Sequence, residues 1–204
     1  MDDDRARPLD AGDLDADPLR QFRAWFRDAA GTTRAPEAVA LATATPDGAP
    51  SVRMVLIKGA DERGFVFHTG YESRKGGELA ANPRAALLFY WDPLGRQVRV
   101  EGPVERTTPA EIESYFRTRP RGAQIAAFAS RQGRVLASRA ELEAEVAGVE
   151  AELGDADVPV PEHWGGFRLS PEVYEFWQHR ENRLHDRFRY RRGDGGWIVE
   201  RLSP

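Results

Sequence analysis

Apolar residues recur along the chain with two different periods. Near the N-terminus, Leu19, Phe22, Trp25 and Phe26 recur at helical spacing, which predicts an amphipathic helix that ends near Gly31. Between residues 38 and 104 the pattern becomes that of strands, in the segments AVALATAT, SVRMVLIKG, GFVFHT, RAALLFYW and RQVRVEGPV. Turn residues separate these segments at short intervals, so we expect antiparallel pairing.

The remaining segments predict how the elements are arranged. SRKGGELAAN predicts a short helix, and three further helical patterns lie between residues 109 and 153. The chain then returns to strands in WGGFRLSPEVYEFWQ, LHDRFRYRR and GWIVERL. We therefore predict an α+β fold in which residues 18–204 form a single domain, with a barrel-like core and a helical excursion at about 109–153. Residues 1–17, which are polar and Asp-rich, are predicted to be a flexible acidic tail.

Composition excludes several classes of protein. The 204 residues carry 29 Lys and Arg against 33 Asp and Glu, a formal net charge of -4, whereas nucleic-acid-binding domains are normally basic. The absence of cysteine excludes disulfides, thiol nucleophiles and Cys-ligated metals, and we predict no bound metal. Because the sequence shows neither a signal peptide nor an apolar stretch of membrane-spanning length, we predict a cytoplasmic protein with no nucleic-acid or membrane partner.

The start of the predicted helix SRKGGELAAN carries a candidate anion site. Ser73 is suited to cap this helix, yet Arg74 and Lys75 occupy the first turn, where the helix dipole favours carboxylates. Only Lys58 and Lys75 are lysines in this chain. The placement becomes favourable if an anion binds the free N–H groups together with both cations, as phosphate often does. The alternative is a solvated basic turn.

Two strand segments carry further cations. Arg183, His185 and Arg187 alternate, so on a strand all three would share one face and require a negative ligand opposite them. The alternative is a local abundance of arginine. Arg53 and Lys58 flank an apolar run, and their spacing places them on opposite faces of a strand unless a bulge intervenes.

A second pair of anion-binding groups and one aromatic residue complete the candidates. Tyr115 and Arg119 are spaced i, i+4 on a predicted helix, a suitable pair for a second phosphate or simply a ring packed on an arginine stem. Trp177 could lie against a planar ring, although most tryptophans belong to the core. Together, the separate cationic clusters on a net-acidic chain suggest two small phosphorylated planar molecules, one a cofactor and the other a substrate.

Six segments carry a specific resemblance. RMVLIKG, SRKGGELAANPRAALLFYW, RQVRVEG, YFRTRPRGAQIAAFAS, VPEHWGGFRL and EFWQHRENRLHDRFRY resemble, in order and spacing, the pyridoxamine 5'-phosphate oxidases. The resemblance implies an antiparallel, Greek-key-like split β-barrel and a homodimer with FMN at the subunit interface. It also implies oxidation of pyridoxamine or pyridoxine 5'-phosphate by O2 to pyridoxal 5'-phosphate, with release of hydrogen peroxide.

The resemblance also implies roles for particular residues. Residues expected at FMN are Arg53, Met54, Val55, Leu56, Ile57, Lys58, His68, Thr69, Arg74, Lys75, Gln97, Gln132, Trp177 and Arg187. Residues expected at the substrate are Lys58, Tyr115 and Arg119 on its phosphate, and Arg183 and His185, as catalytic residues, over its pyridine ring. For the dimer, we expect the face carrying Val98 and Val100, with the RAALLFYW run, to exceed what one chain can bury.

Three positions depart from the family pattern. Ala123 and Gly133 stand where serines are usual, and His68 replaces a tyrosine. The segment MDDDRARPLDAG also lacks the basic lid of some members. These departures leave two alternatives open: a flavin oxidase of the same fold acting on another substrate, such as a phenazine-pathway intermediate, and a non-catalytic protein that binds flavin or pyridoxal phosphate.

Overall fold

The computed structural model describes residues 7–204, which contain nine β-strands and five α-helices. The strands are β1 (Ala38–Ala44), β2 (Pro50–Asp61), β3 (Gly64–Gly70), β4 (Arg84–Trp91), β5 (Arg96–Arg106), β6 (Trp164–Leu169), β7 (Val173–Gln178), β8 (Asp186–Gly193) and β9 (Gly196–Leu202). The helices are α1 (Pro18–Ala30), α2 (Arg74–Ala81), α3 (Pro109–Thr118), α4 (Arg121–Ala129) and α5 (Arg139–Leu153). The predicted α+β class is confirmed, and WGGFRLSPEVYEFWQ divides into two strands.

Six of the strands form a closed antiparallel barrel. They follow the order β4, β1, β2, β3, β6 and β5, and pairing of β5 with β4 closes the ring. The long strand β5 serves several neighbours because residues 96–103 pair with β4 and residues 104–106 pair with β6. Its residues 96–101 also pair with β7, from which β8 and β9 continue the sheet outside the ring.

Helix α1 packs the predicted apolar face on the barrel core. The ring of Phe22 lies 4.9 Å from that of Phe65 and 4.9 Å from that of Phe89, while Trp25 lies 5.2 Å from Phe176. All five side chains are buried. Burial of each such side chain contributes roughly 1.5 to 3 kcal/mol, so this face fixes α1 on the barrel.

The helical excursion forms a small cluster of its own. Phe116 of α3, Ile125 of α4 and Val158 are buried together, and α5 covers them without a fully buried residue. Within residues 7–204, none of the helices has the length and apolar character needed to cross a membrane. The same residues hold no cluster of three or more His, Asp or Glu side chains placed to bind a metal ion.

The predicted flexible tail over residues 1–17 requires correction. Leu9 is buried, and its backbone N–H donates to Asp186 Oδ2 at 3.1 Å. Arg201 donates to Leu9 O and forms a 2.6 Å ion pair with Asp10. Leu9 and Asp10 are therefore held against β8 and β9, while residues 1–6 of the predicted tail lie outside the described residues.

The part of the predicted dimer face that lies on β5 is wrong. Val98 and Val100 are each 0% exposed within the single chain because β5 is enclosed by its neighbours, and alternate residues of RAALLFYW are buried with them. Three exposed apolar side chains lie together on β2, where Val52, Met54 and Leu56 are 69%, 63% and 44% exposed. This β2 face is an apolar surface that residues 7–204 of a single chain leave uncovered.

Candidate functional site

A cleft of about 600 Å³ lies between β2, the end of β3, the start of α2 and the end of α3. Among the described residues that line it are five basic side chains and no carboxylate. The five are Arg53, Lys58, Arg74, Lys75 and Arg119. We call this site the cation cleft. Such a concentration of positive charge on a chain of net charge -4 favours a ligand with more than one negative charge.

Arg53 and Lys58 line the same cleft, and β2 has a bulge beside Lys58. The pairing of β2 with β3 shifts register between Ile57 and Gly59. A bulge shifts the side chains that follow it to the other face of the strand. Arg53 and Lys58, five residues apart, would lie on opposite faces of a regular strand. Met54, Val55 and Leu56 also line the cleft, whereas Ile57 is buried in the barrel core. The structure therefore contains the bulge, whose presence the sequence pattern did not decide.

The first turn of α2 presents a buried ammonium group to the cleft. Ser73 caps the helix by accepting from Gly76 N–H, as predicted. Lys75 is 7% exposed and donates to Thr69 Oγ1 at 2.9 Å, Gln132 Oε1 at 3.1 Å and Ser73 Oγ at 3.2 Å. Burial, reinforced by Arg53, lowers the pKa of Lys75. Its partners are uncharged, so its charge is not neutralised by a carboxylate within residues 7–204.

Glycine at position 76 allows this turn to approach β3 closely. A Cβ at Gly76 would lie 2.2 Å from Tyr71 O, a contact that backbone atoms cannot relieve. The close approach seats the α2 start directly beside Thr69 and Gln132. The position of Lys75 in the cleft is thus fixed by the backbone.

One buried carboxylate behind the cleft holds two of its arginines. Glu78 accepts from Arg74 Nε at 2.8 Å and lies 3.4 Å from Arg53 Nη2. It also accepts from Thr43 Oγ1 and Ser51 Oγ, each at 2.5 Å. These hydroxyl bonds, followed by Arg74, lower the pKa of Glu78 to about 2. Glu78 thus links α2 to β1 and β2. Glu78 was not among the residues predicted from the sequence, although its i, i+4 spacing from Arg74 was a usable signal.

A second group of polar side chains lines the cleft beside the end of α3. Tyr115 lies on α3 and Arg119 follows its last residue, with φ -76° and ψ 144°. Arg119 Nη1 is buried and has no hydrogen-bond partner among residues 7–204. Burial lowers the pKa of Arg119 and raises that of Tyr115. An unpaired buried guanidinium N–H is costly, so this geometry favours a ligand that accepts from it.

Three predicted site residues form a row across β5, β7 and β8, and none of them lines the cleft. Gln97 of β5 pairs with Trp177 of β7, which pairs with Arg187 of β8. The ring of His185 lies 4.5 Å from that of Trp177. We call Gln97, Trp177 and Arg187 the Trp177 row. Arg187 donates to Glu175 Oε1 at 2.9 Å, which fixes its side chain on the sheet.

The predicted alternation of Arg183, His185 and Arg187 on one strand is wrong. Strand β8 begins at Asp186, and Arg183 lies in a one-turn 3₁₀ helix (Glu181–Arg183). Asn182 and Arg183 both have positive φ, at 56° and 61°. Arg183 is therefore exposed on a turn that precedes the strand. Consecutive left-handed residues without glycine are rare and are a local feature that strand periodicity does not predict.

Of the positions that depart from the family pattern, Gly133 lines the cleft and Ala123 does not. Gly133 lines it with φ 92°, a conformation in which glycine is favoured over serine. Ala123 lies in the first turn of α4 and does not contribute to the lining described for the cleft. Trp164, at the start of β6, does line it and was missed by the sequence analysis.

Comparison with known proteins gives the family. The family model described as pyridoxamine 5'-phosphate oxidase matches residues 26–152. The chain belongs to the pyridoxamine 5'-phosphate oxidase family. Residues 164–204 match a second model, described as the pyridoxine 5'-phosphate oxidase C-terminal dimerisation region, which includes the Trp177 row's residues Trp177 and Arg187. The resemblance drawn from the six sequence segments is thereby confirmed, and the chain is an enzyme of an oxidoreductase family.

Individual relatives agree over nearly the whole chain. The chain is 57% identical over 192 residues to the pyridoxine/pyridoxamine 5'-phosphate oxidase of Salinibacter ruber, covering 92% of this chain and 89% of that protein. It is 53% identical over 203 residues to the protein of the same name from Thermosynechococcus vestitus, covering 99% and 96%.

Solved structures confirm the split-barrel fold. PhzG from Burkholderia lata, solved in complex with tetrahydrophenazine-1-carboxylic acid, superposes with a TM-score of 0.91 at 32% identity, covering 98% of this chain and 100% of that chain. A pyridoxamine 5'-phosphate oxidase-related, FMN binding protein from Nostoc punctiforme gives a TM-score of 0.74 at 18% identity, covering 94% and 100%, and supports the fold alone.

Proposed function

We propose that this protein is an FMN-dependent oxidase that converts pyridoxamine or pyridoxine 5'-phosphate to pyridoxal 5'-phosphate, with O2 as oxidant and hydrogen peroxide as product. The observation that carries the proposal is the cation cleft, with five basic side chains and no lining carboxylate among the described residues. Two phosphorylated ligands account for that excess charge better than one. The names of relatives that are 51–57% identical support the same reaction.

The residues present fit a flavin phosphate at the start of α2. Lys75 offers a buried ammonium with only uncharged partners, and Arg53 and Arg74 are held beside it by Glu78. A phosphate would supply the missing counter-charge. Of the predicted FMN residues, His68, Thr69 and Gln132 line the same cleft, as do Met54, Val55 and Leu56.

The substrate phosphate is assigned to a second set of side chains in the cation cleft. Lys58, Tyr115 and Arg119 would hold it, and the orphaned Nη1 of Arg119 is one donor that such a phosphate would satisfy. FMN, when bound, would supply the hydride acceptor for the substrate carbon that bears the amine or hydroxyl and the route of the two electrons to O2; with the amine, water would be consumed and ammonia released. Protein groups have to hold the pyridine ring in place for that transfer.

His185 is suited to hold a proton near the substrate ring. Its Nδ1 accepts from Arg180 N–H at 3.1 Å, so the neutral ring carries its proton on Nε2. Burial, His179 and Arg183 lower the pKa of His185, which favours that neutral form at neutral pH. His185 would donate a hydrogen bond from Nε2 to the substrate, and the exposed Arg183 would orient the pyridine ring of the substrate.

We also propose a homodimer in which each active site combines parts of both chains. Gln97, Trp177, Arg183, His185 and Arg187 do not line the cation cleft of their own chain in residues 7–204. The apolar β2 face, with Val52, Met54 and Leu56, borders that cleft and is exposed. A second copy seated on β2 would cover this face and bring its own Trp177 row to the cleft. The dimerisation-region match over residues 164–204 supports this arrangement.

A second candidate is oxidation of a phenazine-type substrate, favoured by the likeness to PhzG. The two functions differ in what Lys58, Tyr115 and Arg119 bind, because tetrahydrophenazine-1-carboxylic acid carries a carboxylate and no phosphate. The decisive experiment adds pyridoxamine 5'-phosphate, pyridoxine 5'-phosphate or the phenazine acid to FMN-loaded protein and follows O2 uptake and pyridoxal 5'-phosphate. We expect turnover with the phosphorylated vitamers. Turnover of the phenazine acid alone, or of nothing, would overturn the proposal.

A further inference from the structure

Four flat groups pack together along one wall of the cation cleft. The rings of His68 and Tyr115 are stacked, with centroids 3.9 Å apart and planes inclined by 19°. The His68 ring is likewise stacked on Trp164, at 5.3 Å and 16°. The guanidinium of Arg119 lies 4.8 Å from the centre of the Trp164 ring. The Tyr115 ring also lies 6.2 Å from that of Trp164, with planes inclined by 14°. We call these four residues the ring stack, and two of them, Tyr115 and Arg119, are assigned above to the substrate phosphate.

Each ring comes from a different element, so the stack connects α3 to the barrel. His68 belongs to β3, Tyr115 to α3, and Trp164 begins β6. His68 pairs with Gly166 across the sheet. A Cβ at Gly166 would lie 2.3 Å from Thr107 Oγ1 and 3.1 Å from His68 Nε2, so glycine there leaves room for both the threonine hydroxyl and the imidazole.

The His68 imidazole contributes its flat surface rather than hydrogen bonds. Its Nδ1 is buried without a hydrogen-bond partner among residues 7–204. Burial, together with the nearby cations Arg119 and Lys58, lowers the pKa of His68 to about 4, so the ring is uncharged at neutral pH. Protonation would place a third cation among these groups. A neutral ring that makes no hydrogen bond through Nδ1 acts in packing, as a phenyl ring could.

We propose that His68 is a positioning residue for the substrate phosphate, because its ring holds Tyr115 directly and Arg119 through Trp164 in the orientation that binds the phosphate. This inference rests on the proposed function, which assigns Tyr115 and Arg119 to that phosphate. It differs from the role at FMN that the resemblance implied for His68. On this account the phosphate preference of the enzyme depends on a flat ring at position 68.

The test compares His68→Ala with His68→Phe, which keeps the ring and removes both nitrogens. Affinities of the FMN-loaded proteins for pyridoxamine 5'-phosphate and for unphosphorylated pyridoxamine are measured by calorimetry, and KM and kcat by O2 uptake. We expect His68→Ala to weaken binding of the phosphorylated compound by about tenfold and to raise its KM more than it lowers kcat, with pyridoxamine unchanged. His68→Phe should restore the phosphate preference.

Three outcomes separate the possibilities. If the parent itself shows no preference for the phosphorylated compound, the proposed function fails. If the parent prefers it and His68→Ala keeps that preference, the positioning role of His68 is wrong while the function stands. If both variants lose FMN affinity, measured by flavin fluorescence, and keep the phosphate preference, His68 is a cofactor contact and the inference is overturned.

Discussion

Lys75 is the residue at which burial and charge conflict most clearly. Its ammonium is buried with three uncharged acceptors, an arrangement that costs desolvation energy unless an anion arrives. We expect Lys75→Met to weaken FMN binding by about tenfold or more, since a charge-assisted bond to phosphate is worth roughly 1.5 to 3 kcal/mol. Riboflavin, which lacks the phosphate, should bind both proteins equally.

The matched control for Lys75 is Lys75→Arg, which keeps the charge. Fluorescence titration of apo-protein with FMN and with riboflavin gives both affinities, and thermal melting of the apo-protein reports folding. The apo-protein of Lys75→Met should melt no lower than the parent because a buried charge has been removed. Equal loss of FMN and riboflavin affinity would show that Lys75 supports the structure and not the phosphate.

Glu78 predicts a particular dependence of stability on pH. Its pKa is lowered to about 2 in the folded protein from an ordinary value of 4.5, so its contribution to stability is present above about 4.5 and is lost as pH falls towards 2. Glu78→Gln cannot titrate there. The free energy of unfolding in urea, measured at pH 6 and pH 3, should therefore fall less in Glu78→Gln than in the parent. An equal fall in both proteins would contradict the assigned pKa.

At the scale of elements, one buried arginine joins α3 to the hairpin of β2 and β3. The side chain of Arg168 on β6 is 5% exposed and forms ion pairs with Asp61 at 2.8 Å and Glu111 at 2.9 Å. Arg63 pairs with the same two carboxylates from the surface, with its side chain 64% exposed. The chain therefore offers a buried arginine and an exposed one with identical partners.

We expect Arg168→Met to destabilise the protein by about 2 kcal/mol, because it leaves two partly buried carboxylates without their buried partner. Arg63→Met should cost less than about 1 kcal/mol, as is typical of an exposed pair. Since α3 carries Tyr115, Arg168→Met should also weaken binding of the phosphorylated substrate. Chemical denaturation and KM measurements on both variants check this, and equal effects on stability would refute the distinction between them.

The helices and strands were predicted from local sequence patterns. The predictions were wrong where contacts between residues distant in sequence, or an unusual backbone conformation, determine a residue's position. Helix α1 and the strands follow from periodicity because each presents one apolar face to a common core. The burial of Val98 and Val100 depends on how many neighbours β5 has, which periodicity does not contain. The position of Arg183 depends on two left-handed residues, and the packing of Leu9 on a hydrogen bond to Asp186, 177 positions away.

In the candidate site, too, features that are contiguous in sequence were predicted and contacts between distant segments were not. The start of α2 was predicted correctly because the Ser73 cap and its two cations are contiguous in sequence. Trp164 was not predicted because its partner His68 lies on a strand far away in the chain. For Glu78 only the contact with Arg74 is local, and its hydroxyl partners Thr43 and Ser51 come from distant strands. Sequence therefore indicated most of the charged groups, and the structure was needed to show how they are held.

For the whole molecule, the central claim is that an active site forms between two chains. Lys58 lines the cation cleft and Arg183 lies on the turn before β8, and both side chains are exposed, so Lys58→Ala and Arg183→Ala should lower turnover without unfolding the protein. If each site takes its cleft from one chain and its turn from the other, mixing the two variants creates one intact site. Mixing the parent with the double variant creates none.

The most direct measurement is therefore the turnover of pyridoxamine 5'-phosphate by purified mixed dimers carrying two different affinity tags. We expect the dimer of Lys58→Ala with Arg183→Ala to have about half the activity of the parent dimer, since one of its two sites is intact. The dimer of the parent with the double variant should have only the low activity of the single variants. The reverse result, an inactive first dimer and a half-active second, would show that each site lies within one chain and that no site is shared.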